Sequence, residues 1–494
     1  MTSSTKIDAL IAWATSHGAV LHPSVRVSHD PATGLSFRAV QPIPGDFSAA
    51  IVHLPASLSL SYLDAVRPSS SSSSSSTPDR GTSPPPPPLP ASLAAALPPH
   101  VLGRLLLVRE HLAGASSFWY PYIQALPQPA ETGGSSWTLL PPFWEDDDDA
   151  ELLDGTNVEV GLARIRADLR RDLAAIAAAL RDADAKDETN KRLVEQFRPE
   201  LYRWAYAIFS SRSFRPSLVL SDEQARLLPP GVAIDDFSVL LPLFDIGNHD
   251  MTVPVRWQRD GNGCALRTGR AHQPGEQVFN NYGLKTNAEL LLGYGFMIAP
   301  TDALHNDYIH VRKRRSGADA DDAPAPEEYL ISARPLRDAS SVLARDKLPA
   351  GLDADSITPA FQHVQPDMAW DIFTSLAGGD AYKRLIPAQN PEGDAEAADH
   401  ERRRRLLTGK VEGACLPLFA QTAAVIQNKV LQELERLLET DVEVDGADKE
   451  RLTPCQRLAL DYRDRCRAAL ESTLEMMNAD ETLAAAMEAM DKDE

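Results

Sequence analysis

Cysteine is scarce in this chain of 494 residues, which contains only Cys264, Cys415, Cys455 and Cys466. No two of them form a C-x-x-C pair. The sequence therefore argues against a disulfide scaffold and against a structural zinc site. So few cysteines in so long a chain are typical of a reducing compartment, and we expect the cytoplasm, the nucleus or both.

Positive charge is also in short supply. The chain has 49 lysines and arginines against 70 aspartates and glutamates, which gives a formal net charge of −21. Such acidity argues against binding to nucleic-acid phosphates and suits a basic protein partner. No apolar run reaches about eighteen residues, and Asp8 interrupts the short apolar run near the N-terminus. We therefore expect neither a membrane span nor a secretory signal, and we expect a monomer.

Several common catalytic motifs are missing from the sequence. It contains no G-x-x-x-x-G-K-[ST] phosphate loop, no H-E-x-x-H and no G-x-S-x-G. The twelve histidines are not clustered at the spacing of metal ligands. These absences leave a kinase, a metalloprotease and an α/β-hydrolase without support, and no metal site is expected.

The order of the patterns predicts an α+β protein. The first sixty residues indicate a helix followed by strands, residues 162–180 carry a helical apolar stripe, residues 238–300 indicate strands, and the chain is helical again from about 330. Serine is unbroken from Ser69 to Ser76 and proline from Pro84 to Pro88. Because this composition has little apolar surface to bury, it predicts a disordered insert.

One block of the sequence carries the candidate chemistry. Asp245, Asn248 and His249 follow an apolar strand, and asparagine and histidine can donate and accept hydrogen bonds to a polar small molecule. The alternative is a turn whose side chains bond their own backbone. Tyr282 and Tyr294 each precede a glycine, which allows a ligand to approach the backbone, although aromatic core packing is the alternative.

These blocks, with two further segments, resemble the SET-domain methyltransferases of the Rubisco large-subunit lysine methyltransferase family. The resemblance depends on D-x-x-N-H at 245–249, on G-E-x-V-F-x-x-Y-G at 275–283 with T-N-A-E-L-L at 286–291, on W-x-P-Y at 119–122 and on W-A…S-R-x-F at 204–214. It covers residues 5–300 well and the rest less specifically. Within it, Asn287 is expected to cap a short helix.

The resemblance implies a β-rich SET core that is split by a helical insertion and followed by a mostly helical C-terminal substrate-binding domain. The implied ranges are 1–67 and 238–300 for the two parts of the SET domain, 68–98 for the disordered Ser/Pro-rich insert, 99–237 for the helical insertion, and 301–494 for the Rubisco-methyltransferase-type substrate-binding domain.

The implied reaction is transfer of a methyl group from S-adenosyl-L-methionine to a lysine of a non-histone protein, with ribosomal and translation-related proteins as candidates. The resemblance makes Tyr282 the catalytic residue and Arg212, Asp245 and Tyr294 the residues that bind substrate. Contacts to the cofactor are implied for Thr33, Gly34, Leu35, Arg212, Asn248, His249 and Tyr282.

The sequence departs from the family pattern at one turn. The family has Gly-x-Gly where this chain has Gly34-Leu35-Ser36, and Ser36 would be strained if the turn required a positive φ there. Two alternatives to a lysine methyltransferase stay open. One is a histidine methyltransferase of the same fold, since the family includes such a member and the sequence does not exclude it. The other, motivated by the change to Ser36, is a catalytically inert module that binds a protein.

Overall fold

The computed structural model describes residues 3–31, 33–66, 87–129, 139–144, 147–226, 228–313, 328–388, 394–442 and 451–485. The chain divides into two compact units. The first unit contains residues 1–143 and 164–284, and the second contains residues 144–163 and 285–494.

Ten short strands form three small antiparallel sheets in the first unit. The strands are β1 (Val20–Leu21), β2 (Val25–Asp30), β3 (Gly34–Ala39), β4 (Ala50–Pro55), β5 (Leu60–Ser61), β6 (Ser213–Phe214), β7 (Val239–Leu240), β8 (Val255–Asp260), β9 (Gly263–Thr268) and β10 (Gln277–Val278). The sheet orders are β1-β4-β9-β8, β10-β3-β2 and β5-β7-β6. Each sheet pairs strands from before residue 67 with strands from after residue 212, so the predicted split of the β-rich core is confirmed.

Most helices of the first unit lie between these two groups of strands in the sequence, while the first helix precedes the first strand and the last follows β6. Those of the first unit are α1 (Ser3–Ser16), α2 (Tyr62–Val66), α3 (Ala91–Ala96), α4 (Pro99–Ala113), α5 (Tyr120–Ala125), most of α7 (Glu159–Arg181), α8 (Glu188–Gln196), α9 (Pro199–Arg212) and α10 (Asp222–Arg226). Proline starts α4 and α9, where a missing N–H costs no helical hydrogen bond. The apolar face of α4 is fully buried at Val101, Leu105 and Val108, which makes this helix a centre of the core.

The Ser/Pro-rich insert predicted at 68–98 is only partly described. Residues 68–86 lie outside the described residues. Residues 87–98 are ordered and include α3, because leucines at four-residue spacing, Leu89, Leu93 and Leu97, are buried in the core. The predicted end of the insert at residue 98 was therefore too late, since Leu89 follows directly on the proline run.

The second unit is mostly helical. It contains α6 (Asp147–Glu151), α11 (Asn287–Tyr294), α12 (Val342–Arg345), α13 (Pro366–Ala377), α14 (Tyr382–Leu385), α15 (Ala395–Leu407), α16 (Cys415–Glu439), α17 (Pro454–Asn478) and the antiparallel pair β11 (Tyr308–Arg312) and β12 (Glu328–Ser332). The α+β class and the helical C-terminal part are thus confirmed. None of the helices described in either unit is long and apolar enough to cross a membrane.

Helix α11 corrects one expectation about capping. Thr286, and not Asn287, is the N-cap: its side chain accepts the Glu289 N–H, and the Glu289 carboxylate accepts the Thr286 N–H in return. Asn287 is instead buried, and it donates to the carbonyl of Ile298 and to Asp307. Thr-x-x-Glu is a capping-box pattern that the sequence itself displays.

Candidate active site

The D-x-x-N-H segment follows a buried turn with an unusual backbone conformation. Leu243 is fully buried and has a φ of 70°, a conformation that residues other than glycine rarely adopt. A 3-10 helix follows at Phe244–Ile246. Gly247 then passes so close to Asn280 that an added Cβ would lie 2.9 Å from the Asn280 Cβ. This close approach sets the path of the chain into the candidate site.

Backbone hydrogen bonds join the two candidate blocks. His249 and Asn280 form a parallel β-bridge. The Asn280 N–H donates to the Asn248 carbonyl at 2.7 Å, and the Asp250 N–H donates to the Asn280 carbonyl at 3.0 Å. The two segments, which are about thirty residues apart in sequence, therefore lie side by side.

Tyr282 is held to this segment at three points. Its hydroxyl donates to the Gly247 carbonyl at 2.9 Å, and its backbone N–H donates to Nδ1 of His249 at 3.0 Å. The two rings are stacked with centroids 4.9 Å apart and planes 12° apart. Because Nδ1 of His249 accepts a hydrogen bond, the neutral ring carries its proton on Nε2.

Asn248 connects the same segment to the N-terminal turn. Its amide nitrogen donates to the Leu35 carbonyl at 3.1 Å and to Oε1 of Gln277 at 2.8 Å. Thr33 contacts the same glutamine, with its hydroxyl 3.4 Å from Oε1 of Gln277. The Thr33 N–H donates to Asp30. Sequence reasoning missed Gln277, which occupies the variable position of the G-E-x-V-F pattern.

Ser36 does not strain the turn. Gly34 has a φ of 75°, as glycine readily allows, but Ser36 lies within β3 and pairs with Ser28 of β2. Phe47 and Leu243 are the non-glycine residues with positive φ in the described part of the chain, and Ser36 is not among them. Its buried hydroxyl donates to the Ser28 carbonyl at 3.3 Å.

Arg212 and Asp245 form a second network, which Tyr122 completes. Nη1 of Arg212 lies 3.5 Å from Oδ2 of Asp245 and donates to the Asp245 carbonyl at 3.2 Å. The Tyr122 hydroxyl donates to the same Oδ2 at 3.0 Å. Sequence reasoning quoted Tyr122 as part of the W-x-P-Y segment but gave it no role at the site.

Burial dominates the titration behaviour of this network. It raises the pKa of Asp245, while the Arg212 guanidinium and the Tyr122 hydroxyl oppose that rise. Burial, and then the Asp245 carboxylate, raise the pKa of Tyr122 well above its usual value. Tyr122 therefore remains a hydrogen-bond donor throughout the physiological pH range.

Tyr294 belongs to the second unit, where it is the last residue of α11. It is half-buried, and its ring meets the ring of Phe296 edge-on at 6.2 Å. Burial raises the pKa of its hydroxyl. The roles assigned by resemblance to Tyr294 and to the other site residues stay predictions. The described residues contain no group of three or more His, Cys, Asp or Glu side chains able to hold a metal ion.

Solved structures of the Rubisco large-subunit methyltransferase share this fold. The SET domain bound to lysine and AdoHcy has a TM-score of 0.56 and 18% identity, with 97% of this chain and 92% of that one covered. The form bound to AdoMet has a TM-score of 0.55 and 17% identity, with 96% and 91% covered.

Curated relatives are protein methyltransferases. The ribosomal lysine N-methyltransferase set10 of Schizosaccharomyces pombe is 31% identical over 223 residues, which are 43% of this chain and 35% of that protein. The protein-lysine N-methyltransferase EFM1 of Saccharomyces cerevisiae is 23% identical over 329 residues, which are 60% and 50%. The actin-histidine N-methyltransferase of Mus musculus is 24% identical over 282 residues, which are 57% and 42%.

The match to these relatives is partial, since it spans from about a third to half of the length of each. No family model matches the chain. The fold nevertheless agrees with the solved structures over nearly the whole chain. The chain therefore has the fold of the solved Rubisco large-subunit methyltransferase structures, and part of it is similar in sequence to protein-lysine and protein-histidine methyltransferases.

Proposed function

We propose that this chain is an S-adenosyl-L-methionine-dependent protein-lysine N-methyltransferase. The observation that carries the proposal is the position of Tyr282, whose hydroxyl is bonded to the Gly247 carbonyl and whose ring is stacked on His249. This phenol lies beside Asn248, a residue with the polar groups that a cofactor contact requires. The relatives named as lysine methyltransferases support the same reaction.

The residues of the first unit fit the proposed cofactor. S-adenosylmethionine presents a carboxylate and an ammonium group, which need a cation and an oxygen acceptor. The Arg212 side chain is 27% exposed and can pair with a carboxylate. The amide nitrogen of Asn248 is engaged by Leu35 and Gln277, so its Oδ1 is the atom that would accept from the ammonium. Space is available at Gly34, where an added Cβ would meet no heavy atom within 4 Å.

The chain's own residues would orient the acceptor amine. When bound, the cofactor supplies an electrophilic methyl group on a positively charged sulfur. Tyr282 donates to Gly247, so its oxygen would accept from the amine and align the nitrogen for in-line attack. Backbone carbonyls can accept weak C–H bonds from the polarised methyl group. A lysine arrives protonated, and an apolar channel beside the sulfonium would favour loss of that proton.

Histidine is the second candidate acceptor, favoured by the similarity to actin-histidine N-methyltransferases. The two acceptors differ in pH dependence. Lysine has a usual pKa of about 10.4, so its methylation should accelerate well above neutral pH, whereas imidazole is already neutral there. A rate that stays level above pH 7 would favour histidine.

The substrate proposed is a basic, non-histone protein, with ribosomal and translation-related proteins as the first candidates. The net charge of −21 favours a positively charged partner. Relatives named as ribosomal lysine N-methyltransferases support this choice. Cytoplasm and nucleus are the compartments proposed for the reaction.

A transfer assay in a cell lysate tests the proposal. Wild type and Tyr282→Phe are incubated with tritiated S-adenosylmethionine, and the labelled band is mapped by mass spectrometry. We expect wild type to label a protein at lysine and Tyr282→Phe to retain cofactor affinity but lose most transfer, because only the orienting hydroxyl is removed. Tyr202→Phe is the matched control, since its hydroxyl bonds Asp172 in the same unit and neither is a candidate site residue.

Three outcomes contradict parts of this proposal. Label on histidine would replace the acceptor. Equal transfer by Tyr282→Phe and wild type would remove the role of Tyr282. No cofactor binding and no label from folded wild type would favour the inert protein-binding module, although the unstrained Ser36 removes the observation that motivated it.

A further inference from the structure

The network behind Arg212 is ordered from the interior to the surface. Tyr122 is 1% exposed, the side chain of Asp245 is 3% exposed, and that of Arg212 is 27% exposed. The Tyr122 hydroxyl bonds Oδ2 of Asp245, and this oxygen faces the guanidinium. Arg212 is therefore the most open member of the series.

We propose that Tyr122 is a positioning residue for Arg212, which it holds through Asp245 in the orientation that receives the carboxylate of the cofactor. This inference rests on the proposed function. It assigns a task to a residue of α5, which precedes Asp245 by more than a hundred positions in the sequence. Tyr122 is too deeply buried to touch a ligand and therefore acts through its neighbour.

The geometry explains why the carboxylate needs a second donor. The side-chain contact between Asp245 and Arg212 is 3.5 Å long, well beyond the roughly 2.8 Å of a strong charge-assisted hydrogen bond. A buried carboxylate with one distant partner is poorly stabilised. The phenol at 3.0 Å compensates for this, and it fixes which way Oδ2 points.

This support depends on the charge of Asp245. Arg212 and Tyr122 are the titratable side chains that influence Asp245 among the described residues. Burial already raises the pKa of Asp245, and removal of the Tyr122 hydroxyl would raise it further. A protonated Asp245 carries no charge with which to hold Arg212, so the support weakens as the pH falls.

The same unit contains a matched control. The Tyr202 hydroxyl donates to Oδ2 of Asp172 at 2.7 Å, and Arg104 lies 3.2 Å from that oxygen. Tyr202 and Asp172 are also buried. This second tyrosine–aspartate–arginine network contains none of the candidate site residues, so Tyr202→Phe reproduces the chemical change of Tyr122→Phe at another place.

Binding of S-adenosylhomocysteine by wild type, Tyr122→Phe, Tyr202→Phe and Asp245→Asn is measured by calorimetry between pH 5.5 and 8.5, with thermal unfolding in parallel. We expect Tyr122→Phe to bind about ten-fold more weakly at pH 7. Its loss of affinity in acid should begin at a higher pH than in wild type. Tyr202→Phe should bind as wild type does despite a similar loss of thermal stability, and in Asp245→Asn the acid dependence should disappear.

Each contrary result is decisive. Identical pH profiles for Tyr122→Phe and wild type would overturn the inference alone. An equal weakening in Tyr202→Phe would show that lost stability, and not positioning, explains the effect. An acid dependence retained in Asp245→Asn would remove Asp245 from the argument. Wild type that binds no cofactor at any pH would overturn the proposed function and this inference with it.

Discussion

The end of the Ser/Pro-rich segment contributes to stability, although its composition resembles that of a dispensable linker. The carbonyl of Pro87 accepts from Nη1 of the fully buried Arg109 at 2.5 Å. The carbonyl of Pro88 accepts from Asn190 at 2.8 Å, and the N–H of the buried Leu89 donates to Ala65 at 2.7 Å. Two deletions, one that keeps these three residues and one that removes them, should therefore behave differently.

The first variant lacks residues 69–83, and in the second a five-residue Gly/Ser linker replaces residues 68–90. The first variant should be as stable as wild type or slightly more so. Shortening the connection between residues 66 and 87 lowers the entropic cost of closing it by about 1 kcal/mol. The second variant loses the hydrogen bond from the buried Arg109 guanidinium to Pro87, worth about 2 kcal/mol. It also loses the neutral hydrogen bond from Asn190 to Pro88, worth about 1 kcal/mol. Loss of the burial of Leu89 costs about 2 kcal/mol more.

The expected difference is therefore about 5 kcal/mol, a large part of the stability of a typical domain. Thermal unfolding followed by circular dichroism should show the second variant melting about 10 °C below the first. Equal melting temperatures for the two variants would refute the reasoning. A loss of the same size in the first variant would mean that residues 69–83 themselves stabilise the fold.

Two further predictions concern a strand residue and a buried histidine. Because Ser36 is unstrained, Ser36→Gly should change the affinity for S-adenosylmethionine by less than about two-fold in calorimetry. It should lower the free energy of unfolding by about 1 kcal/mol, because the hydrogen bond to Ser28 is lost and glycine is more flexible. A clearly tighter complex would show that the serine does obstruct the pocket. Burial lowers the pKa of His305 to about 4, so the unfolded chain takes up a proton between pH 6.5 and 4 that the folded chain does not. As the pH falls from 6.5 to 4, this proton uptake should lower the free energy of unfolding by up to about 3 kcal/mol. In urea titrations, His305→Gln should lack this contribution to the pH dependence. An unchanged pH dependence of the unfolding free energy in the variant would contradict the assignment.

Sequence patterns within a few residues are sufficient to predict where some of the helices begin. The start of α17 at Pro454 follows from the Thr-Pro-x-Gln pattern, and Thr453 and Gln456 do cap it reciprocally. Thr286 and Glu289 carry the same kind of signal at α11, and that signal outweighs the preference of Asn287 for a cap. A capping pair within one turn is visible in the sequence because both partners are close neighbours in it.

Polar contacts between residues far apart in the sequence could not be predicted from such local patterns. The adjacency of Asn248 and Tyr282 was expected only because the motifs resemble a known family. The contact of Tyr122 with Asp245 spans more than a hundred residues, and neither residue type predicts the other. Gln277 was overlooked for the same reason, since its role depends on Asn248 and on the turn at Thr33.

The attachment of Tyr282 to residues 247–249 has a consequence for how this protein can change. The Tyr282 phenol and two of the predicted cofactor contacts, Asn248 and His249, depend on one short backbone segment, which holds Tyr282 through a carbonyl, an imidazole nitrogen and a stacked ring. A substitution that shifts this segment would move the Tyr282 hydroxyl together with Asn248 and His249. In the proposed enzyme, a preference for a new acceptor is therefore more readily gained by substituting residues around the phenol than by replacing Tyr282 itself. Variants within residues 247–249 should lose cofactor affinity and turnover in parallel.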